Sequence, residues 1–162
     1  MGYQIKDEDI LEGFRKTKWP GRFEVLNKSP SFVIDVAHNV HSIVTLIQTL
    51  RVYLPGKKII FLFGASEDKD IKGMLKVISR SAEEIILTQS NHPRAARAQD
   101  LLKSIPYSHI RVNCITSIEE ATQYALNQWA ADTAIVATGS IFIVAAVRQL
   151  WFDSFKTVFG RD

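Results

Sequence analysis

The sequence predicts an α/β fold: a mostly parallel sheet of about six strands with helices on both faces. Three observations predict it. Short apolar strand-like runs recur, one from Phe32 to Ile34 ending at the acid Asp35, and others within Lys58–Phe63, Glu84–Thr88 and Thr133–Thr138, the pattern of strands buried on both sides. Segments between them carry apolar residues at helical spacing, as in Ile43, Leu46, Ile47, Leu50 and Leu54. The chain has 162 residues, 46% of them apolar and 23% charged, which suits one globular domain with its own core.

The elements follow in order. Residues 7–18 read as a helix with Ile10, Leu11 and Phe14 on one face and Asp7 as its N-cap. Trp19-Pro20-Gly21 ends it, and Arg22–Leu26 reads as a strand whose brevity places it at an edge or antiparallel to its neighbour. The strand at Phe32 then hands over to a helix expected over Ala37–Leu54. Lys58–Phe63 ends at Gly64, and a polar turn leads into a helix over Ile71–Ser81. Glu84–Thr88 is followed by a long polar loop and a short helix near Ala98–Ser104. Ile110–Cys114 is a weaker strand before a helix over Ile118–Ala130, and Thr133–Thr138 precedes the last helix, Phe142–Trp151. Residues 1–18 read as a helix and interdomain linker, residues 19–151 as the domain, and residues 152–162 as a tail, either a short helix or a frayed end. A helix and a Trp-Pro-Gly lead-in before the first strand suit the C-terminal domain of a larger protein.

Composition excludes several classes. No apolar stretch reaches the roughly 18 residues that cross a bilayer, and the acids in residues 1–11 do not suit a signal peptide, so a cytoplasmic protein without a membrane partner is expected. The net charge of +3 comes from 20 basic residues dispersed among 17 acidic ones, not the clustered basic face of a nucleic-acid binder. Cys114 stands alone, so it forms no internal disulfide and is expected to be a small core residue. His38 and His41 lack a third ligand at suitable spacing, and no metal site is expected.

In a parallel sheet the strand carboxyl ends share one edge, which would gather Asp35, Gly64, Thr88 and Thr138. Asp35, His38 and Asn39 sit at the first such junction. Asp35 can accept from a ribose there, or it can cap the following helix with His38 solvated on the first turn. In the second junction, Gly64 to Asp70, Lys69 can meet a phosphate, or the segment is a solvated turn with Asp70 as the helix cap. At the third, Gly139 and Ser140 can present amides and a hydroxyl to an anion, or Ser140 is a plain cap. His92-Pro93-Arg94 reads as an exposed turn that can also reach the cleft. Neither a P-loop nor a Gly-x-Ser-x-Gly elbow occurs, so the chain is not expected to hold ATP for phosphoryl transfer unaided or to act as a serine hydrolase.

Together, Trp19-Pro20-Gly21-Arg22, Asp35-Val36-Ala37-His38-Asn39, Phe63-Gly64 with Asp68-Lys69-Asp70, Pro93-Arg94-Ala95 and Thr138-Gly139-Ser140 resemble the C-terminal domain of the folylpolyglutamate synthase/dihydrofolate synthase family, a branch of the Mur ligase superfamily. The resemblance spans about residues 10–150. It implies a Rossmann-like domain of an ATP-dependent amide ligase that adds L-glutamate to a folate or to dihydropteroate through an acyl phosphate. Mg²⁺ and most of the ATP site would belong to an N-terminal P-loop domain, without which this domain would be inactive. By the same resemblance Arg22 would contact ATP phosphates and Asp35 the ribose side, His38 and Ser140 would face glutamate, and Lys69 and Arg94 would be further cleft residues. Two positions depart from the family pattern: Val36 stands where glycine is usual, and Val40 where proline is common. A β-branched residue at 36 implies a local backbone different from the family's tight turn. Two other readings fit the same fold: another Mur-type ligase acting on a UDP-linked precursor or a peptide polymer, and a non-catalytic nucleotide-binding or interaction module.

Overall fold

A computed structural model describes residues 4–106 and 110–159. The chain forms α1 (Asp7–Lys16), β1 (Glu24–Asn27), β2 (Ser31–Ile34), α2 (Val40–Tyr53), β3 (Lys58–Phe63), α3 (Ile71–Ile78), β4 (Ala82–Leu87), α4 (Ala98–Leu102), β5 (Arg111–Cys114), α5 (Ile118–Asn127), β6 (Thr133–Thr138) and α6 (Ile141–Leu150). A π-helical turn over Trp151–Phe155 and α7 (Lys156–Phe159) continue α6. Residues 152–159 of the expected tail are therefore helical, with Trp151 and Phe155 buried, and residues 160–162 lie outside the described residues.

The sheet has six strands in the order β1-β2-β6-β3-β4-β5. Among the described strands only β1 runs antiparallel, at the edge that its short length predicts. The apolar runs are continuous because both faces are covered, and adjacent residues feed opposite cores. Val33, Phe61 and Val136 pack with α2 and α3, whereas Phe32, Ile60 and Ile135 pack with α5 and α6. Strand β6 lies between β2 and β3, yet its helix leaves to the opposite face from theirs. The chain parts above β6, and a crevice opens at that topological switch point.

Three expectations at element ends are corrected. Helix α1 begins at Asp7 with Lys6 in the cap position, because the Asp9 carboxylate accepts from the Lys6 amide at 3.0 Å. Arg22 and Phe23 precede β1 instead of opening it, since Phe23 has φ +41° and cannot lie in a strand. Helix α2 starts at Val40, not Ala37, because Asn39 and Ser42 form a reciprocal capping box. His38 consequently sits in an extended connection before the helix.

Helix α1 buries none of its residues: Ile10, Leu11 and Phe14 form an apolar face that is 46%, 56% and 75% exposed. Cys114 is half-buried on the edge strand β5, short of the core position expected. Burial pushes its thiol pKa above the usual value. The thiolate fraction at pH 8 is thereby reduced, and modification by a thiol reagent at pH 8 is expected to run several-fold slower in the folded chain than in urea-unfolded chain.

Candidate active site

The carboxyl ends of β2, β3, β4 and β6 are tied to one another. Asp35 N donates to the Ala137 carbonyl at 3.0 Å, Gly139 N to Ala37 at 2.9 Å, and Thr88 N to Phe63 at 2.9 Å. The loops after β3 and β4 also pair, through Glu67 N to Arg94 O and Ala96 N to Ala65 O, both at 2.9 Å. These bonds hold the loops over the crevice as a framed cleft of about 240 Å³.

Arg22, His38, Lys69, Arg94 and Ser140 all line this cleft, with Val36, Ser66, Asp68, Gly139, Ile141 and Phe142. Five of the six candidate residues therefore come together from five separate loops. Asp35 does not line it. Its carboxylate faces the backbone, accepting from Phe23 N at 2.7 Å and Ala37 N at 2.8 Å, and it does not cap α2.

Each cleft side chain has a defined local setting. Nδ1 of His38 lies 2.8 Å from the Val36 carbonyl, which can only accept, so Nδ1 carries a proton and Nε2 is left for another partner. Ser140 is the N-cap of α6, its Oγ accepting from Phe142 N at 3.2 Å, and it is both cap and cleft residue. Asp70 caps α3 through Gly73 N at 2.8 Å, as one reading of that turn expects. Lys69 pairs with Asp68 at 2.7 Å, and the ammonium holds the Asp68 carboxyl below the usual carboxylate range, with a smaller pull from Arg94. His92 is not an exposed turn residue; it is half-buried, with its ring stacked on Phe142 at 3.9 Å.

Val36 fits where a glycine was the family expectation. It keeps a negative φ, is 7% exposed, and its Cγ1 packs beside Gly21. Its amide donates to the Gly21 carbonyl at 2.8 Å, so the β-branched side chain joins the core without straining the turn.

Three cations, Arg22, Lys69 and Arg94, share the cleft with one carboxylate, Asp68, and with the amino end of α6. That balance favours anionic groups, phosphate and carboxylate above all. Of three other hollows, the one of about 490 Å³ has no charged lining residue, the one of about 510 Å³ is acidic, and the one of about 340 Å³ carries Arg51, Lys57 and Arg80 but no helix amino end. The hollows of about 340 and 490 Å³ open at carboxyl ends of helices, whose dipoles oppose an anion, and the acidic one carries Glu119 and Glu120. Among the described residues no three His, Cys, Asp or Glu side chains cluster to hold a metal ion. No described helix is long and apolar enough to cross a membrane.

Fold and cleft define a doubly wound α/β domain with a switch-point crevice whose lining is cationic. The family profile described as "Mur ligase, glutamate ligase domain" matches residues 21–141, and the chain belongs to this family. A dihydrofolate synthase/folylpolyglutamate synthase of Bacillus subtilis is 26% identical over 145 residues, which cover 90% of this chain and 33% of that protein. The structure of E. coli FolC in complex with DHPP and ADP superposes with a TM-score of 0.85 at 25% identity, over 96% of this chain and 36% of that one. A bifunctional folylpolyglutamate synthase/dihydrofolate synthase with Mn, AMPPNP and L-glutamate bound gives 0.80 at 29% identity, over 93% and 36%. The chain thus spans about a third of the length of these relatives.

Proposed function

We propose that this chain is the C-terminal domain of an ATP-dependent ligase that adds L-glutamate to a folate or to dihydropteroate. The observation that carries the reading is the convergence of Arg22, His38, Lys69, Arg94 and Ser140 on one cationic cleft, in a chain whose relatives carry that activity in their names. In the first step a substrate carboxylate oxygen takes the γ-phosphoryl group of ATP and ADP leaves. In the second, the glutamate amine attacks the acyl carbon, the amide forms, and phosphate departs with the bonding pair. Both steps build negative charge that fixed cations stabilise without reorganisation.

In this reading Arg22 binds ATP phosphates, His38 and Ser140 face glutamate, and Asp35, instead of meeting the ribose, holds the Arg22 loop through the Phe23 amide. Lys69 and Arg94 complete the positive lining. His38 can offer the Nε2 lone pair to the glutamate ammonium group, while the amino end of α6 suits a carboxylate. Among the described residues no three His, Cys, Asp or Glu side chains cluster, and in this reading Mg²⁺ is held mainly by a separate P-loop domain. The exposed apolar face of α1 supports such a domain as its packing partner.

Joined to the P-loop domain of its parent protein, the chain is expected to release ADP only when a folate or pteroate and glutamate are both present. The separate chain is expected to turn over little ATP. In the joined enzyme Arg22→Ala should raise the KM for ATP about 10- to 100-fold, the worth of one charged hydrogen bond, and His38→Ala should raise that for glutamate. Absence of a glutamyl conjugate from every pterin and folate tested overturns the substrate class. Unchanged constants in both variants overturn the assigned roles.

A further inference from the structure

We propose that Glu24 and Arg148 form a positioning pair that holds Arg22 in the cleft and ties its loop to α6, the helix that Ser140 caps. The inference rests on reading Arg22 as a phosphate contact. Arg22 stands between two left-handed residues, Gly21 at φ +74° and Phe23 at φ +41°. Such a backbone persists only where its surroundings hold it. The Arg22 side chain itself is exposed and lies 5.7 Å from the Trp19 ring, so its direction is set by the loop.

Two carboxylates hold that loop, one on each side of Arg22. Asp35 takes the Phe23 amide and is steadied by the Ala37 amide. Glu24 takes the Gly21 amide at 2.7 Å, and it is steadied by Arg148, whose Nε lies 3.0 Å from each Glu24 oxygen. The pair is more than an ordinary surface bridge, which contributes little. The Glu24 side chain is only 20% exposed, and the Arg148 guanidinium is confined over the Phe152 ring at 4.9 Å. Arg148 lies two turns along the helix whose amino end opens on the cleft. Movement of α6 would therefore reach Arg22 through Glu24.

The test has two arms. In the 162-residue chain, hydrogen exchange at the Gly21 amide is expected to accelerate at least tenfold in Arg148→Met and in Glu24→Ala, with β3 and β6 amides unchanged. In the chain joined to its parent P-loop domain, Arg148→Met is expected to raise the KM for ATP five- to tenfold and to add nothing in an Arg22→Ala background. Should Arg148→Met fail to fold, Arg148→Lys keeps the charge without the guanidinium geometry and should show both effects at reduced size. Unchanged Gly21 exchange, or a full additional effect on top of Arg22→Ala, overturns the pair's role. An Arg22→Ala enzyme with normal ATP kinetics overturns the reading of Arg22 instead, and the exchange arm then still decides whether the pair holds the loop.

Discussion

Replacing Gly139 with alanine is expected to destabilise the domain by about 3–5 kcal/mol, the sum of a disallowed backbone conformation and an overlap that cannot relax. Gly139 has φ +102°, outside the small left-handed well that other residues occasionally use. An added Cβ would lie 2.6 Å from both the Gly64 carbonyl oxygen and the Phe63 ring. The carbonyl is backbone at the end of β3, and Phe63 is fully buried, so neither can swing aside. Gly56 supplies the comparison. Its φ is +75° but nothing lies within 4 Å of an added Cβ, and Gly56→Ala should cost about 1 kcal/mol from conformation alone. Urea titrations of the two variants measure the difference. Equal losses would mean that the contact between the carboxyl ends of the paired strands β3 and β6 is looser than this packing describes.

The same two strands show why so much of the fold is legible in sequence. A strand buried on both faces is apolar along its central run, so Ile59–Phe63 and Ala134–Ala137 announce β3 and β6 without any knowledge of their neighbours. Helix α2 is legible along its length through Ile43, Leu46, Ile47 and Leu50, yet its start is misplaced by three residues. Apolar spacing does not register the Asn39–Ser42 capping box, whose hydrogen bonds stop the helix from running back to Ala37.

The candidate site divides in the same way. Residues in loops that follow apolar strands can be placed on the cleft edge because the sheet alone decides where they go. What each side chain does there depends on partners far along the chain. His92 reads as an exposed turn residue until Phe142 is brought against it. Glu24 and Arg148 are 124 residues apart and belong to elements that no local pattern relates. Asp35 has the right residue type at the right strand end, but two backbone amides claim its carboxylate, one of them twelve residues away.

Replacing Asp35 with alanine is accordingly expected to cost about 2–4 kcal/mol, because two partly buried amides lose their acceptor at once. Water can reach part of this position, which keeps the loss below that of a fully buried pair. Asp35→Asn retains one acceptor oxygen and should fall between the alanine variant and the native chain. It also turns an amide N–H toward a backbone N–H, so it should lie nearer the alanine variant. Denaturant titration gives the order. Hydrogen exchange locates it, with protection lost at Phe23 and Ala37 before any strand amide responds. Freed from Asp35, Phe23 no longer has a reason to hold φ +41°, and the Arg22 loop should relax toward an extended path. A stability change below about 1 kcal/mol with both amides still protected would show that the loop is held by Val36 and Glu24 alone, through the Gly21 carbonyl and amide.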